Sequence, residues 1–351
     1  MLNLTKTQKT YIQYGFLLFL ICITVYLVSS MIDIKSIPMI IKLVNKRYIF
    51  MGFLLMGLYI MLEVITINIL IKTIQKTKVK FLSIKIAMMG FYYNLVTPFA
   101  SGSQPMQIYT LNKYGLNISK SIAVVTNKTV LFQSVVTIYS IVIIFLNIAL
   151  LKNELPSILV LISIGIAINI VSLLGGILIV LRPNIMKKII KIAINILNKI
   201  NILKSLNKNQ DKINQFVDEY SYSINLFIKN KKALFTTVVL TIIQLTIFFS
   251  ISYCIYKAFN LNKLSFFYLL TLQVFLYMSV SPVPTPGNVG ANELVFFTIF
   301  ANVFPKSIIG YCVLLYSIFV YYFFIVIGGV FTIYTHYHMN KQDSKKVNLN
   351  L

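Results

Sequence analysis

Acid is what this sequence has least of: eight Asp and Glu stand against 32 Lys and Arg in 351 residues. Charged residues of both signs make up only 11%, whereas a soluble domain carries about a quarter. A water-facing globular surface is therefore excluded. Cysteine is also scarce. Cys22, Cys254 and Cys312 lie far apart inside apolar segments, which excludes a disulfide frame and zinc-type pair spacing. His336 and His338 have no third ligand near them in the sequence, so no metal role is expected. No nucleophile–base pairing, P-loop or G-x-G-x-x-G occurs, which excludes a recognisable soluble catalytic module or a cofactor site of those kinds.

What the chain has in abundance is apolar surface, 58% of its residues. That composition, in long runs, defines an integral membrane protein of many spans. The net charge of +24 then reads as cytoplasmic loops against anionic lipid, since no aromatic-basic patch of a nucleic-acid reader accompanies it. Uninterrupted spans are predicted at 11–30, 48–70, 122–150, 157–181, 233–257 and 308–334. Residues 11–30 are too long for a signal peptide and lack a small-x-small cleavage site, so they read as a retained first span. Two further runs are interrupted: 81–111 at NLVTPFASGSQP and 264–304 at SPVPTPGNVG.

Basic residues orient the chain. Eleven lie in 182–232, five in 71–85 and three in 335–351. Placing these stretches inside, together with the N-terminal ten residues (Lys6, Lys9) and 112–120 (Lys113, Lys120), leaves 23 basic residues inside and eight outside, one more (Lys128) lying within a span, with both termini cytoplasmic. Each interrupted run must then enter and leave by one face, as a re-entrant hairpin. The predicted fold is thus all-α, with about eight helical segments including two broken hairpins, in an inverted repeat. Halves 1–150 and 157–334 form a single membrane domain, with a basic insert at 182–232 and a tail at 335–351. Within the insert, Ile189, Ala193, Ile196, Ile200 and Leu203, then Ile213, Phe216, Tyr220, Ile224 and Phe227, recur at helical spacing. They suggest two amphipathic helices at the cytoplasmic interface, serving either anionic-lipid binding or simply as a linker.

The breaks carry the chemistry. Pro282, Pro284 and Pro286 with Gly287 and Gly290 cannot continue a helix. The backbone groups they free must be shielded by protein or face a wet cavity. Helix ends at membrane depth offer N–H groups to an anion such as a phosphate, though other anions and ions fit as well. Candidate headgroup-binding residues are Asn94, Thr97, Pro98, Gly102, Gln104, Pro105 and Tyr109 at the first break, and Thr285, Pro286, Gly287, Gly290 and Glu293 at the second. Glu293 caps its own helix or meets a cargo amine, a proton or a lysine. Lys128, within a span, is expected to meet Glu293 or a phosphate. Glu63, the other acid inside a span, serves function or turns to the interface.

The pairing of NLVTPFASGSQPMQIY (94–109) with PTPGNVGANE (284–293) resembles the flippase-like transmembrane domain of lysylphosphatidylglycerol synthases, the bacterial multiple peptide resistance factors. The resemblance spans nearly the whole chain, and Lys128 falls where the family tends to carry a basic residue. Ser103 departs from the family's usual double glycine, and Asn288 and Asn292 replace commoner small residues. The resemblance implies a domain of the bacterial plasma membrane that moves anionic or aminoacylated phospholipid between leaflets and so reduces binding of cationic antimicrobial peptides. It also implies a partner: in full-length members a soluble domain transfers lysine from lysyl-tRNA to phosphatidylglycerol. That phosphatidylglycerol lysyltransferase module is not expected on these residues and would be a separate synthase chain. A carrier of a small solute or a polyprenyl-linked sugar is the remaining alternative.

Overall fold

In hydrocarbon no water bonds a free amide, so an apolar run long enough to cross must satisfy its backbone internally, as a helix. The computed structural model describes residues 44–77, 79–97, 101–182, 210–283 and 285–349, with residues 38, 42, 185 and 188. In chain order its helices are α1 (Lys46–Ile74), α2 (Leu82–Val96), α3 (Ser103–Lys113), α4 (Ile118–Leu146), α5 (Ile148–Glu154), α6 (Leu159–Leu181), α7 (Gln210–Lys229), α8 (Lys231–Phe249), α9 (Ile251–Ala258), α10 (Phe266–Val280), α11 (Ala291–Ile299), α12 (Ile309–Ser317) and α13 (Phe323–Leu349). No strand occurs among the described residues. Short polar side chains start three of the apolar helices. Asn45 accepts from the Arg47 N–H at 3.1 Å, Asn230 from Ala233 at 3.1 Å and Ser265 from Tyr268 at 3.2 Å.

Five stretches are long and apolar enough to cross a membrane: Lys46–Ile74, Ile118–Leu146, Pro156–Leu181, Lys231–Ala258 and Ile309–Met339. They coincide with five of the six predicted uninterrupted spans; the sixth, 11–30, lies outside the described residues. The Pro156–Leu181 span buries least within the protein and exposes Val160, Ile164, Val171 and Leu174, the surface a helix presents to lipid. The last span contains a π-helical turn at Ile318–Tyr322, which re-aims the residues following it.

The two interrupted runs form short apolar helices instead. α2 and α10 have 15 residues each. At 1.5 Å per residue that is about 22 Å, short of the roughly 30 Å hydrocarbon core. α3 folds back antiparallel on α2. Gln107 donates to the Ile86 carbonyl at 3.1 Å, and Lys85 donates to the Tyr114 hydroxyl at 3.0 Å, so the two feet of this hairpin lie together. α10 and α11 also pack against each other across 281–290.

Close helix contacts set the scaffold. Gly165 of α6 lies against α10: a Cβ there would sit 1.9 Å from the Met278 carbonyl oxygen. One turn on, Asn169 donates to Ser281 at 2.9 Å and accepts from Gln133 at 2.8 Å, tying α6 and α4 to the edge of the second break. An aromatic cluster fills the centre, with Tyr59, Phe91, Phe248 and Phe324 at ring separations of 5.1 to 5.8 Å.

The amphipathic helix α7 buries Val217, Tyr220, Ile224 and Phe227 against α4 and α1. Glu219 fastens it, accepting from Asn117 at 3.0 Å and Ser119 at 2.8 Å, with Lys120 at 3.7 Å. The stripe at Tyr220, Ile224 and Phe227 therefore faces protein. Its predicted companion, Ile189 to Leu203, lies outside the described residues.

Candidate functional site

The first break closes on itself. The Thr97 hydroxyl donates to the Tyr93 carbonyl at 2.5 Å and accepts from the Gly102 N–H at 2.9 Å. A Cβ at Gly102 would stand 2.6 Å from the Thr97 methyl carbon, so the close approach available there is taken by Thr97. Gln104, Pro105 and Tyr109 are exposed, and the Lys113 ammonium sits 5.7 Å from the Tyr109 ring. Pro98 lies outside the described residues. Asn94 is exposed too, and it lines the cavity described below. Two residues not singled out from sequence hold the hairpin shut. Gln107 donates to the Ile86 carbonyl, and buried Thr110 donates to Met89 Sδ of α2 at 2.9 Å. Their only sequence signal is two polar side chains three apart on a short helix.

The second break is a single turn of 3₁₀ helix at Pro286–Asn288. Gly287 has φ +59° and packs so closely on Tyr321 and Leu95 that a Cβ would meet them at 2.5 and 3.1 Å. This contact joins the two breaks, since Leu95 belongs to the arm leading into the first. Asn288 shares the left-handed conformation, φ +56°. Gly290, at φ +82°, precedes α11. Its N–H donates to Glu293 Oε2 at 2.6 Å, and the Ser317 hydroxyl donates to Glu293 Oε1 at 2.7 Å. Glu293 is thus the cap of its own helix, anchored to the last span. It faces a broad groove of about 700 Å³ walled in part by Lys306 and Tyr311. Thr285 is half-buried, and its buried hydroxyl oxygen has no hydrogen-bond partner among the described residues.

Lys128 does not meet Glu293. Its ammonium pairs with Glu63 at 2.5 Å, and the other Glu63 oxygen accepts from Gln244 at 3.1 Å. Gln244 also reaches the Tyr59 carbonyl at 3.4 Å. The reason is packing: α1, α4 and α8 lie side by side, and each puts one polar residue into the shared interface. Glu63 is accordingly buried within the bundle rather than turned outward. Its pairing with Lys128 crosses 65 positions, beyond any local pattern.

Between the breaks lies a cavity of about 210 Å³. Asn94 and Leu95 face it from the first hairpin, and Gly287, Asn288 and Asn292 from the second. Aromatic rings complete the wall: Tyr59 of α1, Phe91 of α2, Phe132 of α4, Phe248 of α8, Tyr277 of α10, Tyr316 of α12 and Phe324 of α13. Val320, on the π turn, is among the lining residues too. Five long apolar helices packed with shorter apolar ones define an all-α multi-pass membrane protein. The chain belongs to the family described as the lysylphosphatidylglycerol synthase TM region, which it matches over residues 12–328. No curated protein matches it.

Proposed function

We propose that this protein moves lipid between the two leaflets of a membrane, with the headgroup passing through the chamber between the broken segments. The observation that carries the reading is the contact of Gly287 with Leu95 beside that chamber, which brings two breaks 190 residues apart to one place. Short helices that stop inside the bundle leave an opening only where protein surrounds it, as a headgroup path requires. The joined feet of the first hairpin, Lys85 and Tyr114, support a re-entrant arrangement in which that segment enters and leaves by one face. The family's description points to lysylphosphatidylglycerol as one cargo to test, in a bacterial plasma membrane with cytoplasmic termini. If aminoacylated lipid is carried outward, the cationic surface it creates lowers binding of cationic antimicrobial peptides.

The test is leaflet exchange in reconstituted vesicles, using a panel of fluorescently tagged lipids and a membrane-impermeant quencher. Protein-dependent loss of the quencher-protected fraction supports the reading. A protected fraction that stays at the protein-free level for every lipid in the panel, with correctly folded protein, refutes it.

A further inference from the structure

Every ionised group near the chamber is already spoken for. Lys128 and Glu63 neutralise each other, and Glu293 is held by Gly290 and Ser317 on the far side of the second break. Among the described residues the chamber wall carries no Lys, Arg, His, Asp or Glu. What it does carry is uncommitted neutral hydrogen-bonding capacity. Asn94, Asn288, Tyr59 and Tyr277 all line one cavity, and their side chains have no hydrogen-bond partner among the described residues. Asn292, which also lines the cavity, donates to the Gly287 carbonyl at 3.3 Å through its Nδ2.

Asn94 is exposed and Tyr59, Tyr277 and Asn288 are half-buried, so their polar atoms bond either water or a ligand that enters the cavity. Amides and phenols each both donate and accept. Their complement is a ligand that also does both, with apolar C–H faces to set against Phe91, Phe248 and Phe324. An ion has the wrong complement: a phosphate here would find no cation, and an ammonium no carboxylate, and stripping water from either is costly. A volume of about 210 Å³ admits one small group.

Resting on the translocation reading above, we propose that the headgroup this chamber receives is an uncharged polyhydroxyl group, a sugar carried on a lipid. Asn94 and Asn288 are its principal hydrogen-bonding residues, and the rings supply stacking surface. Any ionised part of the lipid must stay outside the chamber.

The experiment compares tagged hexosyl-diacylglycerol with tagged phosphatidylserine and tagged aminoacyl-phosphatidylglycerol in the same proteoliposomes. The sugar lipid is expected to exchange about tenfold faster than either charged lipid, a difference of about 1.4 kcal/mol. Asn94→Ala and Asn288→Gly are each expected to slow sugar-lipid exchange roughly three- to tenfold, the effect of one neutral hydrogen bond. Glycine keeps the left-handed backbone at 288, and elution as a single species checks that each variant folds. Faster exchange of a charged lipid overturns the proposal and leaves translocation standing. Equal sugar-lipid rates in wild type and both variants also overturn it, by removing the chamber as the site. Exchange of none of the three overturns the proposal, and the wider lipid panel then decides whether the translocation reading stands.

Discussion

Replacing Glu63 by Leu removes the partner of a cation that has nowhere else to turn. The Glu63 and Lys128 side chains are 8% and 18% exposed, so water screens the pair little. Leaving one member of a buried pair uncompensated costs about 3–5 kcal/mol. Lys128→Met strands the carboxylate instead and should cost a similar amount, with Gln244 retaining its acceptor. The double variant removes both charges and both desolvation penalties, and apolar replacements of such pairs are often neutral. Its cost should therefore fall well below the sum of the two, a coupling of about 2–4 kcal/mol. At roughly 2 °C per kcal/mol for a large chain, each single change lowers the apparent melting midpoint in detergent by about 6–10 °C, and the double change recovers more than half. Fluorescence-detected size exclusion after heating measures all four proteins. Additivity within about 0.5 kcal/mol would falsify the pairing. It would return Lys128 to the alternative of a lipid phosphate as its counter-ion.

Glu293→Gln keeps an acceptor for one of its two donors and loses the charge at the start of α11, so it should cost about 0.5–2 kcal/mol and leave lipid exchange at the wild-type rate. Lost exchange at an unchanged melting midpoint would show that this carboxylate meets cargo. Burial raises the Glu219 carboxyl, but hydrogen bonds from Asn117 and Ser119 and the charge of Lys120 outweigh it, and the group sits below its ordinary value. A depressed carboxyl stabilises the folded form fully above the unfolded value, about 4.3, and that stability is lost as pH falls through the lower folded value. Hydrogen exchange across 210–229, referred to the intrinsic rate, should show α7 loosening below about pH 4 in the wild type, with a flatter profile in Glu219→Gln. Identical profiles in the two proteins would mean that Glu219 does not fasten this helix.

Much of the architecture is legible in one dimension because its causes are local. A run such as 159–181 has no alternative to helix in hydrocarbon, and Pro282-Val283-Pro284-Thr285-Pro286 cannot continue one. The five apolar spans and both interruptions follow directly from such segments. Glu293 beside Gly290 is also a local matter, three residues apart, and capping stood among the readings the sequence left open.

The partner of Lys128 was a different kind of question. Glu63, Lys128 and Gln244 come from three separate helices, and which charges meet depends on how those helices rotate against one another. Side-by-side packing places Glu63 in reach of Lys128 and leaves Glu293 to its own backbone and Ser317. Gly165 looks like any glycine in an apolar run until α10 is laid within van der Waals contact of it. Asn94 stood among the headgroup candidates of the first break and Asn288 only as a departure from the family pattern, and it is the contact of Gly287 with Leu95 that sets them on one cavity. Composition and chain-local stereochemistry determined that this is a membrane protein with two broken helices. The tertiary structure decided that the breaks meet, that the ion pair lies elsewhere, and that the space between the breaks is neutral. Helix formation is governed by neighbours within a turn or two, whereas the lining of a cavity is governed by packing among segments far apart in the chain.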